Sequence, residues 1–313
     1  MAAQTFHSLI ARNKRNSIVL IVVFLLLFVA LGLLIGEVWG GGDELVRLGV
    51  PIGAGLLAFL LCMGSYFGGS SVLLGMSRAR QIAKSDDPQL HNVVEELCLA
   101  GGMPVPKIYL INDTAMNAFA TGRNPKHAAV AITTGLRTRL NREELQGVIA
   151  HELSHVRHYD ILYAMLMAVL VGTLVMLCDV FLRSVWWGAG SRRRRSSRDR
   201  DGGGIGQLII LVAAILLAIL APILARIIQM ALSRQREYLA DAGSVELTRN
   251  PTGLANALAK LDGDQEVLEV ANRATAPLYI VHPIKKFEKR AKGIFNTHPP
   301  IKDRISRLQS LTV

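Results

Sequence analysis

Four long apolar runs constrain this chain before anything else does. The first, from about Ile18 to Val38, reads IVLIVVFLLLFVALGLLIGEV. Others extend from about Leu45 to Leu74, Ile161 to Leu182 and Ile205 to Leu232. Each is near or above the roughly 20 residues that carry a helix across a ~30 Å hydrocarbon core. Together they raise the hydrophobic content to 51% and the mean hydropathy to +0.34 over 313 residues, more than an ordinary soluble enzyme shows. A helix apolar on every side suits lipid better than a globular core. The first run could also be a cleaved signal. However, its apolar core exceeds the roughly 7–15 residues of a signal peptide. Only Trp39 and glycines follow it, so it reads as a retained anchor.

Basic residues set the orientation. Arg12, Lys14 and Arg15 precede the first run, Asp43 and Glu44 occupy the turn after it, and Arg78, Arg80 and Lys84 follow the second. The positive-inside rule places the N-terminus and the region after residue 76 in the cytoplasm. Between the third and fourth runs lies SRRRRSSRDRDGGG, residues 191–204. If both runs cross, this tract lies outside, against the rule; a non-crossing hairpin would keep it inside. Four spans are the favoured reading and the hairpin is the alternative. The tract itself reads as a solvated loop able to meet anionic lipid. The net charge of +11 gathers there and beside the apolar runs, with no aromatic stacking platform, which argues against nucleic acid. Cys62 and Cys178 fall in apolar runs and Cys98 on a predicted helix, so no disulfide framework is expected. Trp186 and Trp187 read as interfacial anchors.

The chemistry is carried by His151-Glu152-Leu153-Ser154-His155. Positions four apart share one helix face, so both imidazoles can ligate one Zn²⁺ while Glu152 reaches the water beside it. Asn141 is a suitable N-cap, with Glu143 and Glu144 in the first turn. The helix is expected from Asn141 to about Tyr159, running on into the third apolar run because no Pro or Gly intervenes. Upstream, residues 86–100 read as an amphipathic helix. Strands are expected at Lys107–Ile111, Asn117–Thr121 and Ala128–Thr133, at hairpin-like spacing. Downstream, helices are expected over Ser233–Thr248, residues 252–260 and Lys302–Leu308.

A catalytic zinc needs three protein ligands and an open position. Glu237, in Ser233-Arg-Gln-Arg-Glu237-Tyr-Leu-Ala-Asp241, is the best third candidate, and Asp241 one turn later could orient a ligating histidine. By spacing alone, both carboxylates could equally pair with Arg234 or Arg236. His158, seven positions after His151, is a weaker ligand candidate. Leu261-Asp262-Gly263 and Asn250-Pro251 resemble elements of the site-2 intramembrane proteases, but they sit in polar sequence outside any apolar run.

HELSHV together with SRQREYLADAGS resembles the HtpX-like family of membrane zinc metalloproteases, related to the CAAX prenyl proteases and the glutamate-ligand zincins. The likeness extends to two N-terminal spans, Asn117 to Gly122 (NAFATG), and Thr297-His298-Pro299-Pro300. It implies His151, His155 and Glu237 as ligands of one Zn²⁺ per subunit, Glu152 as general base and Asp241 as the group orienting a histidine. It also implies a role for His298 as oxyanion donor or metal cap. Arg304 is a further candidate, to orient His298 or bind substrate. The stretch Asn117, Ala118, Phe119 and Ala120 resembles the edge strand on which zincins lay out a peptide. The expected fold is an α+β membrane protein: a mostly helical, zincin-like catalytic domain with a small sheet, and four hydrophobic helices. The expected division is an anchor at 1–75, a zincin half at 76–160, a helical hairpin at 161–232 and a C-terminal catalytic half at 233–313. The expected function is zinc-dependent endoproteolysis of misfolded or damaged membrane proteins, in the bacterial inner membrane with the site facing the cytoplasm. The alternative is a non-enzymatic membrane interaction protein with a structural zinc.

Overall fold

The structure is a computed structural model that describes residues 6–40, 43–170, 172–173, 212, 235–264, 266–269, 278–280 and 299–311. The chain divides into two compact units. One comprises Met1–Ser17, Ser65–Val169 and Gln229–Val313; the other comprises Ile18–Gly64 and Leu170–Ile228.

In the second unit the described residues belong mainly to α1 (Phe6–Gly40) and α2 (Glu44–Met76), of which this unit takes the parts from Ile18 and up to Gly64. Both are long and apolar enough to cross a membrane, by length and composition. Only 22% and 17% of their most apolar windows are buried, whereas a helix in a soluble core would be mostly covered. Ile18, Leu26, Ile52 and Leu56 stand exposed. The two helices meet closely at Gly32, where a Cβ would lie 2.7 Å from the Pro51 Cα. Glu37 of α1 and Arg47 of α2 pair at 3.2 Å. Of the third expected run, the described helix α6 covers Asp160–Leu170. The rest of that run, nearly all of the fourth and the arginine tract lie outside the described residues, so two of the four expected spans are seen.

The first unit carries a four-stranded sheet in the order β1-β2-β4-β3: β1 (Arg80–Gln81), β2 (Lys107–Ile111), β3 (Ala118–Gly122) and β4 (Ala128–Thr133). The hairpin-like spacing holds for β3 and β4, which pair antiparallel with Phe119 opposite Ala131. Yet β2 runs parallel to β4, with Lys107 opposite Ala129, so the chain passes over to leave β3 outermost. The strand β1 was not expected from sequence; its two residues carry no hydrophobic pattern.

Helices cover the sheet. Asp87 caps α3 (Pro88–Gly101) through a bond from the Leu90 N–H, and Leu90, Val93, Val94, Leu97 and Cys98 form its buried face. The short α4 (Thr134–Arg139) leads into α5 (Arg142–Arg157), where Asn141 and Glu144 close a reciprocal capping box. α5 packs on α3, on β3 and on α8 (Pro251–Gly263), which in turn carries α9 (Ile301–Gln309). The helix α7 is seen over 235–248. Val148, Ile149, Leu153, Leu254 and Leu258 form a fully buried centre.

One expectation fails instructively. The motif helix does not run on into the apolar segment. It stops at Arg157, and Tyr159 takes a left-handed conformation with φ 61° before α6 begins at Asp160. No glycine or proline marks the break, because contacts made elsewhere in the fold impose it.

Candidate metal centre

On α5, His151 and Glu152 are 1% and 2% exposed, and His155 is partly open. Glu237 and Asp241 face them from α7. One nitrogen from each histidine and one Glu237 oxygen lie within 4.8 Å of one another. The Nε2 atoms of His151 and His155 each stand 3.6 Å from a Glu237 oxygen. The imidazoles are edge to face, with centroids 4.8 Å apart.

The far side of each ring is occupied as well. His151 Nδ1 lies 3.0 Å from Asp241 Oδ1, and His155 Nδ1 lies 3.0 Å from Asp160 Oδ2. A carboxylate accepts only, so the His155 Nδ1–H donates to Asp160, and a proton on His151 Nδ1 facing Asp241 would leave each Nε2 to ligate a metal once His155 gives up its second proton. Two imidazole lone pairs and one carboxylate, the rings held from behind, are a donor set that fits a divalent ion such as zinc.

The partners explain the electrostatics. Burial pushes the His151 pKa down. Burial also opposes protonation of His155, but the Asp160 hydrogen bond and the Glu237 charge outweigh it and raise that pKa to about 9. Burial lifts Glu152 to about 7; the His155 charge pulls the other way and Glu237 adds to the rise. The Ala120 backbone N–H, beside Glu152 in the same cleft, works against that rise. Burial alone would raise Asp241, yet the Arg304 guanidinium holds it below the usual carboxylate range.

Two close approaches let α7 bring its carboxylates here. A Cβ on Gly243 would collide with the Ser154 side chain, and Ser244 Oγ donates to the Gly147 carbonyl at 2.8 Å. Glycine at 243 therefore sets how near α7 can come to α5.

The other expected residues are placed less simply. Asn117 is buried, its backbone N–H bonded to Thr133 Oγ1 at 3.0 Å. Phe119 is buried against Tyr279, ring centroids 5.2 Å apart. The Ala118 carbonyl already accepts from the Ile280 N–H at 3.0 Å, so residues 278–280 occupy that part of the β3 edge. Ala120 lines the cleft with Glu152, His155 and Glu237. His298 lies outside the described residues. Arg304 is fully buried, gripping Asp241 and standing 3.4 Å from a Glu237 oxygen, which removes it from the list of substrate contacts. His158 ends α5, its Nδ1 3.4 Å from Ser154 Oγ, and is not part of the three-residue group.

Sequence reasoning missed Asp160 and Asn13. On an unbroken helix Asp160 would stand about 140° around from His155, so its role was invisible without the break.

Comparison with known proteins shows the family. The model of peptidase family M48 matches residues 84–312. The protease HtpX homolog of Caldanaerobacter subterraneus subsp. tengcongensis is 42% identical over 323 residues, covering 100% of each chain. That of Streptococcus mutans serotype c is 44% identical over 302 residues, covering 96% of this chain and 98% of its own. The crystal structure of S. mikatae Ste24p superposes with a TM-score of 0.48 at 20% identity, covering 81% of this chain and 57% of that one.

Proposed function

The chain belongs to peptidase family M48 and is a membrane metalloprotease, and from that premise we propose that it is a zinc endopeptidase whose ion is held by His151, His155 and Glu237. The observation that carries this reading is the convergence of those three side chains within 4.8 Å, with both Nδ1 atoms engaged from behind. When bound, the ion would act as a Lewis acid toward the scissile carbonyl and acidify the attacking water. Glu152 takes the water proton and passes it to the leaving amine; a pKa raised to about 7 suits a group that must gain and lose a proton near neutrality. Asp241 and Asp160 keep the two imidazoles in the tautomer and direction that ligation needs. The edge of β3 beyond Ala118 offers backbone groups to an extended substrate, with Ala120 next to the base.

Misfolded or damaged membrane proteins are the proposed substrates, on the strength of the resemblance and of the apolar helices α1 and α2. The bacterial inner membrane, with the site on the cytoplasmic side, is the proposed location, from the basic residues flanking the first two runs. A purely structural metal clip would need neither a buried carboxylate beside the histidines nor a position left open.

The test uses purified full-length protein in detergent. Metal analysis should find one zinc per chain, and chelation should abolish cleavage of a model membrane protein. Glu152→Gln should keep the zinc and lose proteolysis. Unchanged cleavage by that variant would remove Glu152 from the mechanism.

A further inference from the structure

The break after α5 turns Asp160 back toward His155, and the residue that holds the break lies far away in sequence. Asn13, on α1, donates through Nδ2 to the His158 carbonyl at 2.9 Å and to Asp160 Oδ1 at 2.6 Å. Both partners are acceptors, so the amide nitrogen must face them. Asn13 is 3% exposed, which shields these bonds from bulk water. Its neighbour Lys14 places Nζ 4.4 Å from the centre of the Tyr159 ring. Residues 13 and 14 thus touch His158, Tyr159 and Asp160 in turn, the three positions that make the break. Tyr159 takes its left-handed backbone without being glycine, a conformation that persists only where surrounding contacts enforce it.

The Asp160 carboxylate divides its work. Oδ2 meets His155 Nδ1 at 3.0 Å, and Oδ1 accepts from Asn13. Arg236 Nη1 stands 4.0 Å from Oδ1, close enough to add charge but too far for a hydrogen bond. Arg236 therefore cannot replace the direction that Asn13 imposes.

We propose that Asn13 is a positioning residue for the metal centre, fixing the His155 ring by holding Asp160 and the helix break in place. This rests on His155 being a ligand. The helix α1 is then more than a tether: the same helix whose apolar run starts at Ile18 supports one imidazole of the site. Loss of a group that orients a ligating histidine typically weakens metal binding roughly 10–100-fold.

The experiment measures zinc affinity by chelator competition and the visible spectrum of the Co²⁺-loaded protein, on full-length chain in detergent. The variants are Asn13→Leu, Asp160→Asn, their combination and His155→Ala. Asn13→Leu should weaken zinc about tenfold and shift the cobalt bands. The double variant should bind no more weakly than Asp160→Asn alone, because the two residues act along one line. A general folding defect would instead make the two losses multiply. If Asn13→Leu does not fold, Asn13→Ser, which leaves room for a bridging water, takes its place with the same expectations. Affinity within twofold of the parent and an unchanged cobalt spectrum, or multiplied losses, would overturn the proposal. Zinc lost by His155→Ala together with normal binding by Asn13→Leu overturns this proposal alone. Full zinc affinity in His155→Ala overturns the ligand assignment and this proposal with it.

Discussion

Arg304 grips Asp241 with two hydrogen bonds, Nη2 to Oδ1 at 2.6 Å and Nε to Oδ2 at 2.9 Å, behind the imidazole of His151. The same guanidinium donates to the Ile280 carbonyl at 3.2 Å. One cation thus braces the carboxylate that orients His151 and the segment lying on the β3 edge.

Removing that cation should be costly. Arg304 is fully buried and Asp241 is 4% exposed, so Arg304→Met would strand a buried carboxylate. Breaking such a pair from one side costs about 3–5 kcal/mol. The expected outcome is a lowered unfolding midpoint and weaker metal binding. Arg304→Lys keeps the charge but not the fork, and should recover only part of both. Denaturation and metal titration of the purified variants check this; an Arg304→Met protein as stable as the parent would refute it.

Metal entry should release a proton. In the metal-free protein His155 holds its proton up to a pKa of about 9, and ligation requires its loss. Apparent affinity should therefore rise with pH up to about 9, by as much as tenfold per unit. Calorimetry at pH 7.5 in buffers of different ionisation enthalpy counts the proton. The stability of the metal-free form should move the opposite way. The folded pKa of His155 lies above its unfolded value, so its contribution is complete below about pH 6.5 and is lost as pH rises through 9. Glu152, raised to about 7, acts in the same direction: the folded state binds its proton more tightly, so stability falls as pH climbs from about 4.5 through 7. A metal-free protein that gains stability between pH 6 and 9 would contradict both shifts.

Glu237 should be indispensable for the ion. Glu237→Ala removes both carboxylate oxygens, Oε2 3.6 Å from His151 Nε2 and Oε1 3.6 Å from His155 Nε2, and leaves two imidazoles alone. Stoichiometric zinc should disappear after dialysis, while Glu237→Gln, which keeps an oxygen without the charge, should bind weakly. Full zinc in Glu237→Ala would send the third ligand elsewhere.

Much of this centre was legible before any coordinates. His151, Glu152 and His155 declare themselves because a helix repeats its face every 3.6 residues. Glu237 and Asp241 were found by motif, since spacing could not separate them from surface partners of Arg234 or Arg236. The start of α5 at Asn141 was readable from local capping chemistry. What stayed hidden was long-range. Asp160 reaches His155 only through a break that neither Gly nor Pro announces, and Asn13 reaches Asp160 across 147 positions. The parallel pairing of β2 with β4 was missed because alternating hydrophobicity marks strands without saying which neighbour each will choose. Arg304 was read as a partner of His298 or of substrate, because nothing local in its sequence points to the Asp241 carboxylate that it grips.

Gly243 offers the last test, because it isolates distance from chemistry. It is no ligand and touches no imidazole ligand, but a Cβ there would strike Ser154 Oγ and lie 2.9 Å from the Ser154 Cβ. Both helices are pinned nearby, α7 through Ser244 to the Gly147 carbonyl, so neither can slide freely. Overpacking of this kind costs about 1–3 kcal/mol. Gly243→Ala should lower the unfolding midpoint and weaken metal binding together, since pushing α7 outward carries Glu237 and Asp241 away from the histidines. Ser154→Gly removes the atoms in the way, though a glycine inside α5 costs about 1 kcal/mol of its own. The double variant should therefore bind metal more tightly than Gly243→Ala while regaining only part of the stability. If adding Ser154→Gly leaves the weakened affinity where it was, the spacing of the two helices is not what glycine at 243 protects.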